Sequence, residues 1–409
     1  MTAAANSPAP VHRGVASPSL KIGAFALAGS NSLATTWFFY YIYFYTQDKF
    51  GFDALHNFLL AALLGLVYAV FAFYGGRFAQ KAGYFPSIQL GVGIMFAAFL
   101  LTSQVNTLRP ALALIILACV GMCFTWPAFE ALISEGEPRR RLRGLVGLYN
   151  INWAVTAAFA FFTGGAMRKN WGPQSLFFVP AGLMLLELIY SFWLEKQVNL
   201  QPPATPDDTT LEIEPAAESR ASPVPPRAFL KMALLANPFA YLAINTIIPV
   251  IPALAARLNL SEARAGVVCS VWLFTRAGAF VLLWLWEKWH YRFRFLAGAY
   301  AVMIVCFGAM LLAPALWILV LSQMFLGAAL GLIYHSSLFY SMDVGETKGE
   351  HGGIHESAIG AGNCAGPAIA AAALFLFPTH PASGTLAVCL LLLGGLGALF
   401  WMRYHKTEA

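Results

Sequence analysis

The chain has 409 residues, of which 59% are hydrophobic and only 11% charged, with a mean hydropathy of +0.66. No soluble core of this length buries that much apolar surface, so a globular enzyme or binding module is excluded in favour of an all-α, multi-pass membrane protein. The formal net charge of +6 points to nucleic acid only if the basic residues share one surface, and they do not.

Residues 1–21 are rich in Ala, Ser and Pro and read as a disordered N-terminus. The first apolar run begins after about 20 polar residues and far exceeds an h-region of roughly 7–15 residues, so a cleavable signal peptide is not expected. Twelve membrane helices are predicted. Their spans are 22–47, 57–76, 84–108, 110–133, 144–167, 173–194, 232–256, 265–286, 295–313, 315–340, 354–378 and 383–402. Several carry no charge across the roughly 20 residues that a bilayer requires. Between spans six and seven lies the longest internal polar stretch, 196–227, with seven prolines among Ser, Thr, Asp and Glu. That is the composition of an unfolded tether. The chain therefore divides into a six-helix bundle (22–195), a linker (196–227), a second bundle (228–403) and a short tail (404–409).

Of the 25 Lys and Arg, eighteen fall on the termini and even-numbered loops and six on the opposite side, with Arg276 inside a helix. The positive-inside rule then puts both termini and the linker in the cytoplasm. The basic character is topological, and nucleic acid is not an expected partner. Shifting the first half by 209 residues places Ser134-Glu135-Gly136-Glu137 on Asp343-Val344-Gly345-Glu346 and Gly144 on Gly353, with helix boundaries in register. Parallel halves of this kind imply a substrate site between them near the midplane.

Two local motifs stand out. After the second span comes Gly76-Arg77-Phe78-Ala79-Gln80-Lys81-Ala82-Gly83, and in the eleventh comes Gly362-Asn363-Cys364-Ala365-Gly366-Pro367. The first resembles the G-x-L-A-D-R-x-G loop of the major facilitator superfamily, departing at the acidic position, which is Gln80. The second is similar to that family's G-x-x-x-G-P motif, of which the fifth span keeps only Gly164-Gly165. The resemblance extends over nearly the whole chain. It implies two pseudo-symmetric six-helix bundles and alternating-access transport of a small molecule, without cofactor. It also implies a gate. Gly76, Arg77, Gln80, Lys81 and Gly83 would meet Glu356 at the start of span eleven, where an acid suits the helix dipole. Arg143 and Glu287 would be the counterparts in the other half.

Arg276 is the most informative single residue. It lies near the middle of span eight, where a charge costs about 2.5–3.5 kcal/mol even on lenient scales. It is either a counter-charge for cargo or a residue capping carbonyls or snorkelling toward an acid. The first reading favours an anionic or carboxylate-bearing, or an amphipathic, small molecule. By the family resemblance, Asn31, Trp126, Asn150, Trp153, Tyr241, Asn245, His335 and Asn363 are the further cavity candidates, and each is equally explained by interhelical hydrogen bonding. Glu130, Glu187 and His335 are candidates for coupling to H+ as co-ion. The aromatic run Trp37 to Tyr45 reads as an interface belt rather than a binding box. Six scattered cysteines without His or carboxylate company read as small buried hydrophobes, and no metal site is expected. The expected setting is a bacterial cytoplasmic membrane, with membrane lipid around a monomer. A transporter-like sensor or an integral-membrane enzyme is the alternative; an enzyme would need convergent His and carboxylate groups at one depth.

Overall fold

A computed structural model describes residues 17–134, 137, 139–200, 225–344 and 349–405. The segment before Ser17, most of the linker and the last four residues, about which the sequence makes its disorder expectations, lie outside the described residues. So does the side chain of Arg143.

Twelve helices are present among the described residues, and no strand. In chain order they are α1 (Pro18–Phe50), α2 (Ala54–Ala82), α3 (Tyr84–Thr102), α4 (Leu108–Ser134), α5 (Arg139–Trp171) and α6 (Ser175–Asn199). The second set is α7 (Pro226–Arg257), α8 (Glu262–Leu285), α9 (Phe293–Leu312), α10 (Leu316–Val344), α11 (Gly349–Leu376) and α12 (Ser383–His405). Eleven of them are long and apolar enough to cross a membrane. The exception is α1, whose hydropathy is diluted by Ser30, Asn31, Ser32, Thr35 and Thr36. Among these, Asn31, Ser32, Thr35 and Thr36 are buried against other helices rather than facing out.

Most helices outlast their apolar stretch, because backbone bonding continues into the polar margin wherever propensity allows. The clearest case is α2. The glycine-framed motif was expected as a loop from Gly76, but its residues form the last two turns of the helix, and the connection is Gly83 alone. Gly83 has φ +108°, and its N–H bonds the Ala79 carbonyl at 3.0 Å. A side chain is strained there, which accounts for glycine. At the other end of α2, the Asp53 carboxylate accepts from the His56 N–H, and that bond holds its carboxyl below the usual range.

Two helices are composite. A 3-10 turn at Ile248–Val250 interrupts α7, where Pro249 has no N–H to continue the ladder. Within this turn the Pro249 carbonyl accepts from the Asn57 amide on α2, at 3.4 Å. In α8 the break falls at Ser270. By contrast α4 runs unbroken through Pro127.

The helices form two bundles, α1–α6 and α7–α12, that meet along two seams, α2 against α11 and α5 against α8. A pseudo-twofold that exchanges the bundles exchanges the seams. On the outside, apolar side chains such as Leu282, Leu285 and Val305 are exposed, as a lipid-facing wall requires. The run Trp37 to Tyr45 corrects one expectation. Phe38, Tyr41, Ile42, Tyr43 and Tyr45 are buried, and the Tyr41 hydroxyl donates to the Phe161 carbonyl at 2.6 Å. These rings fill the contact of α1 with α5 and α6 instead of forming a belt at the membrane surface.

Candidate functional site

Between the bundles lies a central cavity of about 150 Å³. Every helix that forms a seam contributes to it, along with α1, α4, α7 and α10. Six of the nine residues expected to contact cargo line it: Trp126, Trp153, Tyr241, Asn245, Arg276 and Asn363. The Asn245 amide donates to the Asn363 carbonyl oxygen, joining α7 to α11.

Arg276 is the cavity's cation. It is only 3% exposed, and aromatic rings enclose its guanidinium. Its Cζ lies 4.9 and 5.0 Å from the ring centroids of Trp153 and Tyr334, and 5.6 Å from those of Tyr241 and Phe280. Its polar contact is with the Tyr241 hydroxyl at 3.4 Å, and Nε has no partner. No acid lies within ion-pair distance among the described residues. The side chain therefore neither reaches lipid nor is locked to a carboxylate. Because Trp153 belongs to the first bundle and the other three rings to the second, the cage spans the two.

Two carboxylates share the cavity, Glu130 on α4 and Glu356 on α11. Glu356 accepts from the Tyr68 hydroxyl of α2 at 2.5 Å, across the bundles. This differs from the expected gate. The sequence places the start of the helix at residue 354, with Glu356 in its first turn. In fact α11 begins at Gly349, since two glycines cost only about 1 kcal/mol each in a helix. Glu356 thus sits in the second turn and turns into the cavity, bonded to Tyr68, whereas Gln80 lies twelve residues further along the same helix α2. The remaining gate candidates stay at the margin. Arg77 rests on the Phe73 ring at 4.3 Å, Lys81 is exposed, and Glu287 opens an exposed 3-10 turn between α8 and α9.

Four candidates are not at the cavity. Asn31 and Glu187 are buried inside the first bundle, where the Asn31 amide donates to Glu187 at 3.2 Å and Asn31 Oδ1 accepts from Thr125 at 3.3 Å. Asn150 accepts from the Trp153 indole at 3.1 Å, a positioning contact behind the cage. His335 packs between Phe280 and Trp289, with ring centroids at 5.9 and 5.6 Å. Conversely, Tyr40, Tyr68 and Tyr149 line the cavity without having been singled out. Tyr40 was hidden in the aromatic run, and the other two read as ordinary apolar-helix tyrosines.

Away from the cavity, at the end opposite the termini, a second interbundle contact appears. Arg168 at the end of α5 is buried and bonds Asp48 of α1 at 3.0 Å and Glu262 of α8. Beside it, Gly165 packs on the Glu262 backbone. These three charges were read as loop residues in sequence.

A family model described as Major Facilitator Superfamily matches residues 22–367. No curated protein matches the sequence. Among solved structures, the fold is similar to the nucleoside transporter NupG, at 13% identity and a TM-score of 0.66, covering 95% of this chain and 100% of that one. A mutant form of the same transporter superposes with a TM-score of 0.65 at 13% identity, over 94% and 99% of the two chains. At such identity the likeness is one of fold.

Proposed function

This chain belongs to the major facilitator superfamily, and we propose that it carries a small molecule across the membrane by alternating access, with Arg276 holding an anionic group of the cargo. The observation behind this reading is the cavity between two bundles whose one cation has rings and a hydroxyl around it but no carboxylate. A buried guanidinium is costly unless something satisfies it. A carboxylate is the natural partner because the planar fork presents paired donors to it. Both termini and the linker lie in the cytoplasm of a bacterial cell, and the chain works as a monomer in lipid. Where H+ serves as co-ion, Glu130 and Glu356 are the groups that face the cargo; Glu187 and His335 lie behind the wall. A sensor or enzyme on the same scaffold has no observation in its favour.

Uptake into proteoliposomes tests the reading, with small carboxylates, amino acids and nucleosides as first solutes, the last because NupG is named for them. Accumulation of an anionic or carboxylate-bearing solute that is lost in Arg276→Met supports it. No movement of any solute, or uptake unaffected by Arg276→Met, overturns it.

A further inference from the structure

The cavity holds a basic and two acidic side chains that form no ion pair with one another. Arg276 and Glu130 both line it, on α8 and α4, yet no ion pair joins them. Elsewhere the same fold does pair its buried charge, as at Arg168 with Asp48 and Glu262. The rings explain the separation: Arg276 is held on the faces of Trp153 and Tyr334 and tied to the Tyr241 hydroxyl. The Glu130 carboxylate, half-buried on the opposite bundle, makes no hydrogen bond or ion pair among the described residues. Glu356, beside it in the same cavity, accepts only from Tyr68 among the described residues.

A basic and an acidic side chain kept apart in a low-dielectric space make opposite demands on a ligand. A lone anion entering to meet Arg276 would face two carboxylates. A lone cation entering to meet Glu130 would face the guanidinium. A molecule carrying both charges satisfies both walls at once, and specificity of this kind rests as much on rejection as on attraction. From this arrangement we infer that the cargo is a small zwitterion, its anionic group on Arg276, its cationic group on Glu130 with Glu356 alongside, and its apolar body against Trp126 and Tyr40. The inference rests on the transporter reading and narrows its substrate class.

Two matched sets of probes test it on the purified full-length protein: phenylalanine, phenethylamine and 3-phenylpropionate, and leucine, isoamylamine and isocaproate. The expected result is that at least one of the two amino acids raises Tm by several degrees at millimolar concentration, while its amine and its carboxylate do not. In Glu130→Gln the affinity for that amino acid falls about tenfold or more, and the order inverts, with the matching carboxylate becoming the better ligand. Glu356→Gln produces a smaller change in the same direction. Stabilisation by a carboxylate or amine equal to that of its parent amino acid overturns the inference, as does no stabilisation by either amino acid. So does a Glu130→Gln variant that weakens all three members of a set alike. Uptake of a singly charged or neutral solute, with neither amino acid binding, overturns the zwitterion and leaves the transporter standing; absence of any solute movement removes the reading beneath it.

Discussion

At the scale of single residues, the cavity's chemistry turns on a guanidinium surrounded by rings. Delocalised charge and a flat face let Arg276 stack on Trp153 and Tyr334 while its edges stay free to donate. Lysine offers neither the face nor the fork. Losing a desolvated cation–π contact costs about 2 kcal/mol. Arg276→Lys should therefore cut uptake by about tenfold or more, and Arg276→Met should abolish it. Gel filtration of both variants should still show folded protein, since the Met change removes a buried charge. Uptake by the Met variant at the native rate would disprove the assignment. Sequence made this residue visible because one charge in a long apolar run has no bland origin. It could not sort Asn31, Asn150 and Glu187 from Asn245 and Asn363. All five are polar residues in apolar helices, and only the direction in which each helix presents them decides between cavity wall and bundle interior.

At the scale of elements, the two seams set how closely the bundles approach. Along α2 and α11 the backbones nearly touch. A Cβ at Gly65 would lie 2.3 Å from the Cys364 nitrogen, and one at Gly360 2.4 Å from the Ala69 Cα. Ser357 donates to the Ala69 carbonyl at 2.7 Å in the same stretch. Backbone cannot yield as a flexible side chain does, so Gly65→Ala and Gly360→Ala should each force this seam apart at a cost of about 1–3 kcal/mol. The expected readout is a lower Tm with faster thiol labelling at the seam, measured on Ser357→Cys with the native cysteines removed. Unchanged labelling in both variants would show that the seam is looser than described. From sequence, Gly362 and Gly366 were legible as a small-residue motif, and they do pack on α7, against Pro238 and Leu242. Gly65 and Gly360 belong to no motif, and their role follows from which helix happens to lie opposite.

At the scale of the whole molecule, Arg168, Asp48 and Glu262 tie the bundles at the end away from the termini. Under the proposed alternating access, this bridge breaks once per cycle. Arg168→Gln should favour opening at that end, raising reagent access to Thr36→Cys from that side about tenfold, as expected when a partly buried charge pair worth about 1.4 kcal/mol is lost. Glu262→Gln should act in the same direction but less, since Asp48 remains. Access unchanged in both variants would mean that the bridge does not hold the closed end. Orientation is checked independently. With native cysteines removed, Gln47→Cys should label from outside intact cells and Lys231→Cys only after the membrane is opened. The reverse pattern would invert the topology derived from loop charge.

What the sequence determined by itself was everything governed by solvent. Eleven strongly apolar spans, two bundles and the presence of a buried cation follow from the price in free energy of apolar groups in water and of charge in lipid, and those depend on composition along the chain alone. Which polar residues share a space was settled by packing. Glu356 left the expected gate for the cavity because α11 starts five residues early. Tyr40 left an expected surface belt for the cavity wall because α1 is covered by α5 and α6. Arg168 gained two acids from distant helices. Each depends on how helices rotate and pack against one another, and side-chain contacts between remote segments leave no periodicity in the chain from which to read them.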